Sequence, residues 1–497
     1  MDKLVVAIKK IYTKYNTNPL VLEELNKIVN QIPQNLNDFI ERNKQQTKIT
    51  EGTKCVVSFL NNPEHCYYYI KESESFVKYD GEHYAIINED DIWQTIYTNL
   101  KGFDTKEKHI IKNTIIECIH EKSILNSIPE SKTIQNIINF LYPTLLNSKE
   151  ESKYFLSILG DNILKKNRDI IHYFSLNSKQ FINSLNCSSF DYIEKSCNIS
   201  VKWRYYKHLF SKCRILNFNN AIMSERYWSD FLKNNILDLI AVACHYSERY
   251  NCSEEYLMKH IFNNSVKSHI LYLQNKNEDD VVSDFINFID LKYDSTQINQ
   301  ISWDIIYFVW KQYLHEKNYP NVVFIEPLKR HICKKIYNKE EVEIFDKLSC
   351  KKFDKILSLQ KFWQTTISDN DKEYCNYEIG EICNMYREWI NVDSEVSYIN
   401  HENMLTMIKF FYPKLNIIKN KYIKNISCSF WLKWEDIDKW YDDYKNESHE
   451  SYTNVSKLYE DYCKYNKNCL KNNPVAKDYF TKYLVNEISK RDSEFSI

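Results

Sequence analysis

The residues best placed for phosphate chemistry are Ser175-Leu176-Asn177-Ser178-Lys179. They link an apolar, strand-like run, Ile170–Phe174, to an amphipathic stretch ending near Leu185. Between a strand and a helix, backbone N–H groups and the helix N-terminus can hold a phosphate. That use needs glycine, because the backbone must curl round the anion with no Cβ in the way. This link has none, and the chain's 5 glycines (Gly52, Gly81, Gly102, Gly160, Gly380) are too far apart to build such a loop elsewhere. Neither a P-loop nor a dinucleotide fingerprint occurs.

The second candidate is basic and aromatic: Lys202, Trp203, Arg204, Tyr205, Lys207, Lys212 and Arg214. Cations there would meet nucleic-acid phosphates while Trp203 or Tyr205 stacks on a base. The same residues also read as an amphipathic helix with a solvated charged face, and both readings stand. The stretch 413–424, with four lysines and Tyr422, is a weaker candidate of the same kind. Asp436, Asp438, Asp442 and Asp443 alternate with Lys, Trp434 and Trp440, which predicts a surface helix or partner face rather than a metal pair. Asp279-Asp280 reads as the cap of a helix over Val281–Ile289. No His-Glu-x-x-His, Gly-x-Ser-x-Gly or Cys/His pattern is present. The 15 cysteines contain no C-x-x-C pair, so no zinc site is expected. The expectation is a non-catalytic chain with no metal and no cofactor.

Positioning these residues falls to a chain of 497 residues, 43% hydrophobic and 27% charged, as folded proteins are. A formal net charge of −1 gives no global field for nucleic acid, so any contact must be local. With 5 glycines and 9 prolines, helix is favoured. The excess of Asn, Lys, Ile and Tyr looks like the coding bias of an AT-rich genome. No apolar run reaches membrane-spanning length and no secretory leader is evident, so a reduced, intracellular protein is expected.

The fold class expected is mainly α, with a small β-hairpin element. Residues 1–50 predict amphipathic helices broken near Pro19 and Pro33, followed by a polar linker, Asn43–Thr53. Residues 54–130 predict a small α+β domain. Its strands are Val56–Leu60, Cys66–Ile70, Ser75–Tyr79 and, after an Asp80-Gly81 turn, His83–Ile87. Asp90-Asp91 caps a helix beginning at Ile92. Residues 301–345 and 346–497 predict serial helical modules, with aromatics at helical spacing in Ser302–Tyr313, Ile382–Trp389 and Val455–Tyr462. Those aromatics equally read as core.

Two resemblances follow from these residues. The Tyr79-Asp80-Gly81 hairpin, the acidic cap and the helix bearing Trp93 resemble the region preceding the ATPase of D5-type (superfamily 3) primase–helicases of large DNA viruses. In that comparison residues 131–300 are the helicase domain. Asn177-Ser178-Lys179 stands where the family has Gly-Lys-Ser/Thr. His208–Phe218 resembles the strand that should end in a Mg²⁺-holding carboxylate, but it runs into Asn219-Asn220. The resemblance implies a degenerate α/β ATPase-like core without its phosphoryl-transfer parts, a winged-helix-like module over 301–345, and a place in host cytoplasm or viral factory.

Tyr15, Leu20 and Val21 resemble the Tyr-x-x-x-x-Leu-apolar motif by which translation-initiation scaffolds hold a cap-binding protein, Tyr and Leu anchoring a short helix in a groove. A plain helix start with Pro19 in its first turn fits the same residues. Together the resemblances imply a viral scaffold that bridges a cap-binding protein and an RNA helicase, with RNA or DNA as a further ligand. A DNA-replication accessory factor and a nucleic-acid enzyme with an unrecognised site are the alternatives.

Overall fold

With few glycines and prolines to interrupt it, helix dominates the computed structural model, which describes residues 2–166, 169–296, 300–342, 345–370, 376–391, 399–447, 455–469 and 474–491. The mainly α fold with small β elements is as expected. The chain divides into two units, Met1–Asn275 and Lys276–Ile497.

The first unit begins with α1 (Asp2–Tyr15) and α2 (Pro19–Leu60). Asn18 caps α2 by accepting the Val21 N–H at 3.4 Å, and Pro19 takes the first position, where its missing N–H costs nothing. The break expected at Pro33 and the linker expected over Asn43–Thr53 are both helix instead. So is Val56–Leu60, read from sequence as a strand. The reason is spacing: Val56 and Phe59 are three residues apart and fall on one helical face, which buries with Ile111, Ile115 and Ile119. Lys48 reinforces that contact through Glu107 at 2.6 Å and Asp104 at 3.6 Å.

The expected hairpin is present as an antiparallel meander of β1 (Cys66–Ile70), β2 (Ser75–Tyr79) and β3 (Tyr84–Ile87). At its turn Gly81 has φ +95°, open to glycine and strained for other residues. The next helix, α3 (Glu89–Asn99), starts earlier than Asp90-Asp91 suggested: Asn88 is its N-cap. The two aspartates lie in its first turn, where they oppose the positive end of the helix dipole.

There follow α4 (Thr105–His120), α5 (Ser131–Leu141), α6 (Lys149–Ile163), β4 (Ile171–Phe174), α7 (Lys179–Ile193), β5 (Val201–Lys202), β6 (Cys213–Leu216), α8 (Glu225–Arg249), α9 (Ser253–His260) and α10 (Asn264–Ile270). The strands β5, β4 and β6 form a parallel sheet with β4 in the centre. Parallel strands need crossovers, and a helix, α7, supplies the one after β4. Beside the sheet, α6 and α8 approach so closely that a Cβ on Gly160 would lie 2.2 Å from the Ala243 carbonyl oxygen.

The second unit comprises α11 (Glu278–Ile289), β7 (Lys292–Tyr293), β8 (Gln300–Ile301), α12 (Trp303–Lys317), α13 (Ile325–Tyr337), β9 (Phe345–Asp346), β10 (Leu348–Ser349), α14 (Lys351–Thr366), β11 (Ile367–Asp369), β12 (Asn376–Glu378), α15 (Ile379–Asn391), α16 (His401–Phe411), β13 (Ile417–Ile418), β14 (Tyr422–Lys424), β15 (Ile426–Cys428), α17 (Lys433–Glu447), α18 (Val455–Cys469) and α19 (Lys477–Tyr483). Its strands are short clips between helices, as in the pairs β7–β10, β8–β9 and β11–β15. Aromatics at helical spacing fill its interior: Phe308, Trp310 and Tyr313 on α12, Tyr386 on α15, and Tyr462 and Phe480 packed around Trp440. The cap of α11 is Asn277, in a capping box with Asp280. Asp279 instead meets His331 Nδ1 at 3.0 Å and Lys335 Nζ at 2.7 Å.

Candidate functional site

The loop from Ser175 to Ser178 does not stand open. Ser175 Oγ donates to Asn177 Oδ1 at 2.6 Å, and the Asn177 amide donates to the carbonyls of Phe218 (3.1 Å) and Asn219 (3.3 Å). The Phe218 N–H returns a bond to Ser175 Oγ at 2.9 Å, and the Ser178 hydroxyl closes on the Ser175 carbonyl at 2.7 Å. The geometry follows from the sheet, because Phe174 lies beside Leu216 and the two chain ends leave β4 and β6 together. The loop N–H groups that a phosphate would need are taken by carbonyls instead: that of Ser175 by Leu216 at 3.3 Å, that of Ser178 by Ser175 at 3.0 Å, and that of Lys179 by Leu176. Ser178 is fully buried, while Lys179 is exposed. This loop is a hydrogen-bonded plug between two strand ends.

The basic–aromatic candidate sits against that plug. Trp203, half-buried, donates its indole N–H to Ser178 Oγ at 3.2 Å. The segment is not the amphipathic helix the sequence allowed: Lys202 ends β5 and residues 203–209 are irregular. Tyr205 donates to the His208 carbonyl at 3.1 Å and packs edge-on against Phe210, and Tyr173 Oη lies 2.7 Å from His208 Nδ1. Arg204, Lys207 and Lys212 are exposed and Lys202 half-buried.

Arg214 departs from the expected phosphate contact. It lies on β6 at 3% exposure, its Nε and Nη2 on the Glu254 carboxylate at 3.0 and 2.6 Å. Its Nη1 donates to the carbonyls of Ser211 and Cys213, each at 2.9 Å. A guanidinium spent on a carboxylate and two carbonyls is a structural strut. All four residues of β6 are buried, Arg214 among them.

Tyr15 and Leu20 lie at the corner between α1 and α2, with the Asn18 N–H bonded to the Tyr15 carbonyl at 3.0 Å. Tyr15 ends one helix and Leu20 and Val21 open the next, so the motif spans a helix–turn–helix corner and not a single short helix. Leu20 is 78% and Tyr15 39% exposed, and Val21 is half-buried. Lys14 sits over the Tyr15 ring at 5.2 Å.

The acidic helix α17 buries one face and exposes the other, with Trp434, Asp442 and Asp443 on the exposed side, as a surface helix does. Asp436 is buried and accepts the Trp431 indole N–H at 2.6 Å; Asp438 accepts the Tyr483 hydroxyl at 2.8 Å, and Asp443 that of Tyr465. Lys433, 1% exposed, donates to Glu381 at 2.5 Å and to the Asn376 carbonyl at 3.0 Å. Its ammonium lies 4.4 Å from the Tyr377 ring centre. The lysine-rich stretch 413–424 forms the β13–β14 hairpin.

Sequence reasoning missed two buried carboxylates. Asp238 on α8 lies 2.7 Å from His83 Nδ1 and accepts the Tyr84 N–H at 2.7 Å, tying the meander to the helix core. Burial raises its pKa, and the hydrogen bond to Asp238 raises that of His83. Asp161 on α6 accepts the Ser247 hydroxyl and the Ser253 N–H, each at 2.7 Å. Partners 155 and 86 residues apart leave no local signal.

Among the described residues no group of three or more His, Cys, Asp or Glu could hold a metal ion, and no helix is long and apolar enough to cross a membrane. No family model, curated protein or solved structure matches the chain.

Proposed function

We propose that this chain is a non-catalytic scaffold of a large DNA virus, acting in translation initiation by bridging a cap-binding protein and an RNA helicase. The observation that carries the reading is the α1–α2 corner, where an exposed Leu20 and a part-exposed Tyr15 flank a capped turn. Apolar anchors offered at a helix corner suit a shallow hydrophobic groove. The plugged Ser175–Ser178 loop, with no glycine and with Asn219-Asn220 in place of a carboxylate, supports the absence of phosphoryl transfer. Exposed Arg204, Lys207 and Lys212 supply the cations for an RNA contact, without Arg214.

A second reading, a replication accessory factor, is favoured by the parallel β5–β4–β6 sheet, since a strand–loop–helix core is what a helicase ancestor would leave behind. Purifying the tagged full chain from infected cells separates the two. The first reading expects a cap-binding protein and an RNA helicase to co-purify. Recovery of replication proteins alone would replace it with the second.

A further inference from the structure

The apolar residues of α2 between the corner and the body keep a strict spacing. Leu22, Leu25, Val29, Ile32, Leu36 and Phe39 recur at alternating intervals of three and four, the a and d positions of a heptad. A single helix whose stripe repeats every 3.5 residues is shaped to lie along another helix. Yet Val29, Leu36 and Phe39 are exposed, Leu36 at 55% and Phe39 at 60%, while Leu22, Leu25 and Ile32 are half-buried. Burial of α2 against α4 begins only at Gly52.

We propose that this seam is an interface with a second copy of the same chain, formed by two α2 helices running parallel. Three features select that occupant. The positions flanking the seam are uncharged from Asn26 to Ile40 (Asn26, Ile28, Pro33, Asn35, Ile40), so two identical helices meet no like charge and no charge pattern calls for a different partner. The charged residues sit on the outer face, where Lys27 bridges Glu23 and Glu24 and Lys44 bridges Glu41 within the one helix. Carrying the frame onward places Asn43 at an a position, where in parallel alignment it meets its own counterpart; a lone asparagine there fixes register and favours two strands.

The exposed part of the seam reaches interface size. Val29, Leu36 and Phe39 with Ile28 and Ile40 make five exposed apolar side chains per copy. At on the order of 100 Å² each, two copies bury about 1,000 Å², the threshold of a specific interface, before the half-buried Leu22, Leu25 and Ile32 add to it.

Light scattering on the purified full chain tests this. The expected mass is twice the 60.0 kDa of one chain. Leu36→Asp with Phe39→Asp should return it to one chain, with the melting temperature of the body unchanged because both side chains are solvent-facing in a single copy. Asn43→Asp, which sets like charges opposite in parallel alignment, should weaken the dimer at least tenfold. A wild-type chain that is monomeric, or a dimer that survives Leu36→Asp/Phe39→Asp, overturns the proposal. A dimer insensitive to Asn43→Asp overturns the parallel alignment.

Discussion

Replacing Glu254 by alanine separates the two roles that Arg214 has been given. The carboxylate receives two guanidinium bonds at 3.0 and 2.6 Å, and the arginine it neutralises is 3% exposed. Breaking a buried pair leaves an uncompensated charge and costs about 3–5 kcal/mol. The Glu254 side chain is 26% exposed, so water supplies part of the lost solvation and the lower end applies, about 3 kcal/mol. For a unit of this size that lowers the transition by roughly 5 °C. Arg214→Ala should cost a similar amount, since it also removes two bonds to backbone carbonyls. The double change to Met and Leu should recover part of the loss, because neither buried charge remains. Thermal unfolding followed by circular dichroism reads all three. Retention on immobilised RNA across a salt series, read in parallel, should be unchanged by Arg214→Ala. A stable Arg214→Ala protein whose salt slope falls by about one would show that Arg214 binds phosphate, and would refute the strut.

Three further outcomes follow from buried groups. His172 on β4 lies 2.9 Å from Ser200 Oγ, and its Nε2 has no hydrogen-bond partner among the described residues; burial lowers its pKa to about 3. Because that value lies below the ordinary 6.5, the folded state binds fewer protons between the two and stability falls as pH drops through this window, by about 2 kcal/mol at pH 5. His172→Gln should flatten the denaturant-measured stability between pH 7 and 5 by that amount. Gly160→Ala should destabilise by about 2 kcal/mol despite alanine's better helix propensity, since its Cβ would meet backbone at 2.2 Å; a raised melting temperature would contradict the close α6–α8 contact. Lys433→Ala should cost about 3 kcal/mol in the second unit, because Glu381 and the Asn376 carbonyl lose their buried donor, and an unchanged thermal scan would contradict this.

What was legible in the sequence was local. Aromatic and β-branched runs around Asp80-Gly81 gave the β2–β3 hairpin, and the apolar run 170–174 gave β4, because side-chain pattern and turn chemistry decide those elements. Val56–Leu60 reads as a strand because five residues are too few to show a period, and the facing helix α4 decides for helix. Asp90-Asp91 marked a helix start, though the cap proved to be Asn88. The candidate site divided the same way. Absence of glycine was visible at once, but the plug that fills the loop depends on Asn177 reaching 41 and 42 residues along the chain. Arg214 looked like one cation among five because its partner lies 40 residues away. On the acidic run of α17, Asp442 and Asp443 are exposed as its pattern suggests, while Asp436, Asp438 and Asp443 meet Trp431, Tyr483 and Tyr465, none of them legible as partners in advance.

The central claim is that the α1–α2 corner holds a cap-binding protein. Isothermal titration of the purified full chain with such a protein, alongside Tyr15→Ala/Leu20→Ala, measures it. Two anchor residues at roughly 1.5 kcal/mol each predict that the wild-type chain binds and that the double variant binds about a hundredfold more weakly. No heat of binding from the wild-type chain, or equal affinity in the two, would contradict the account.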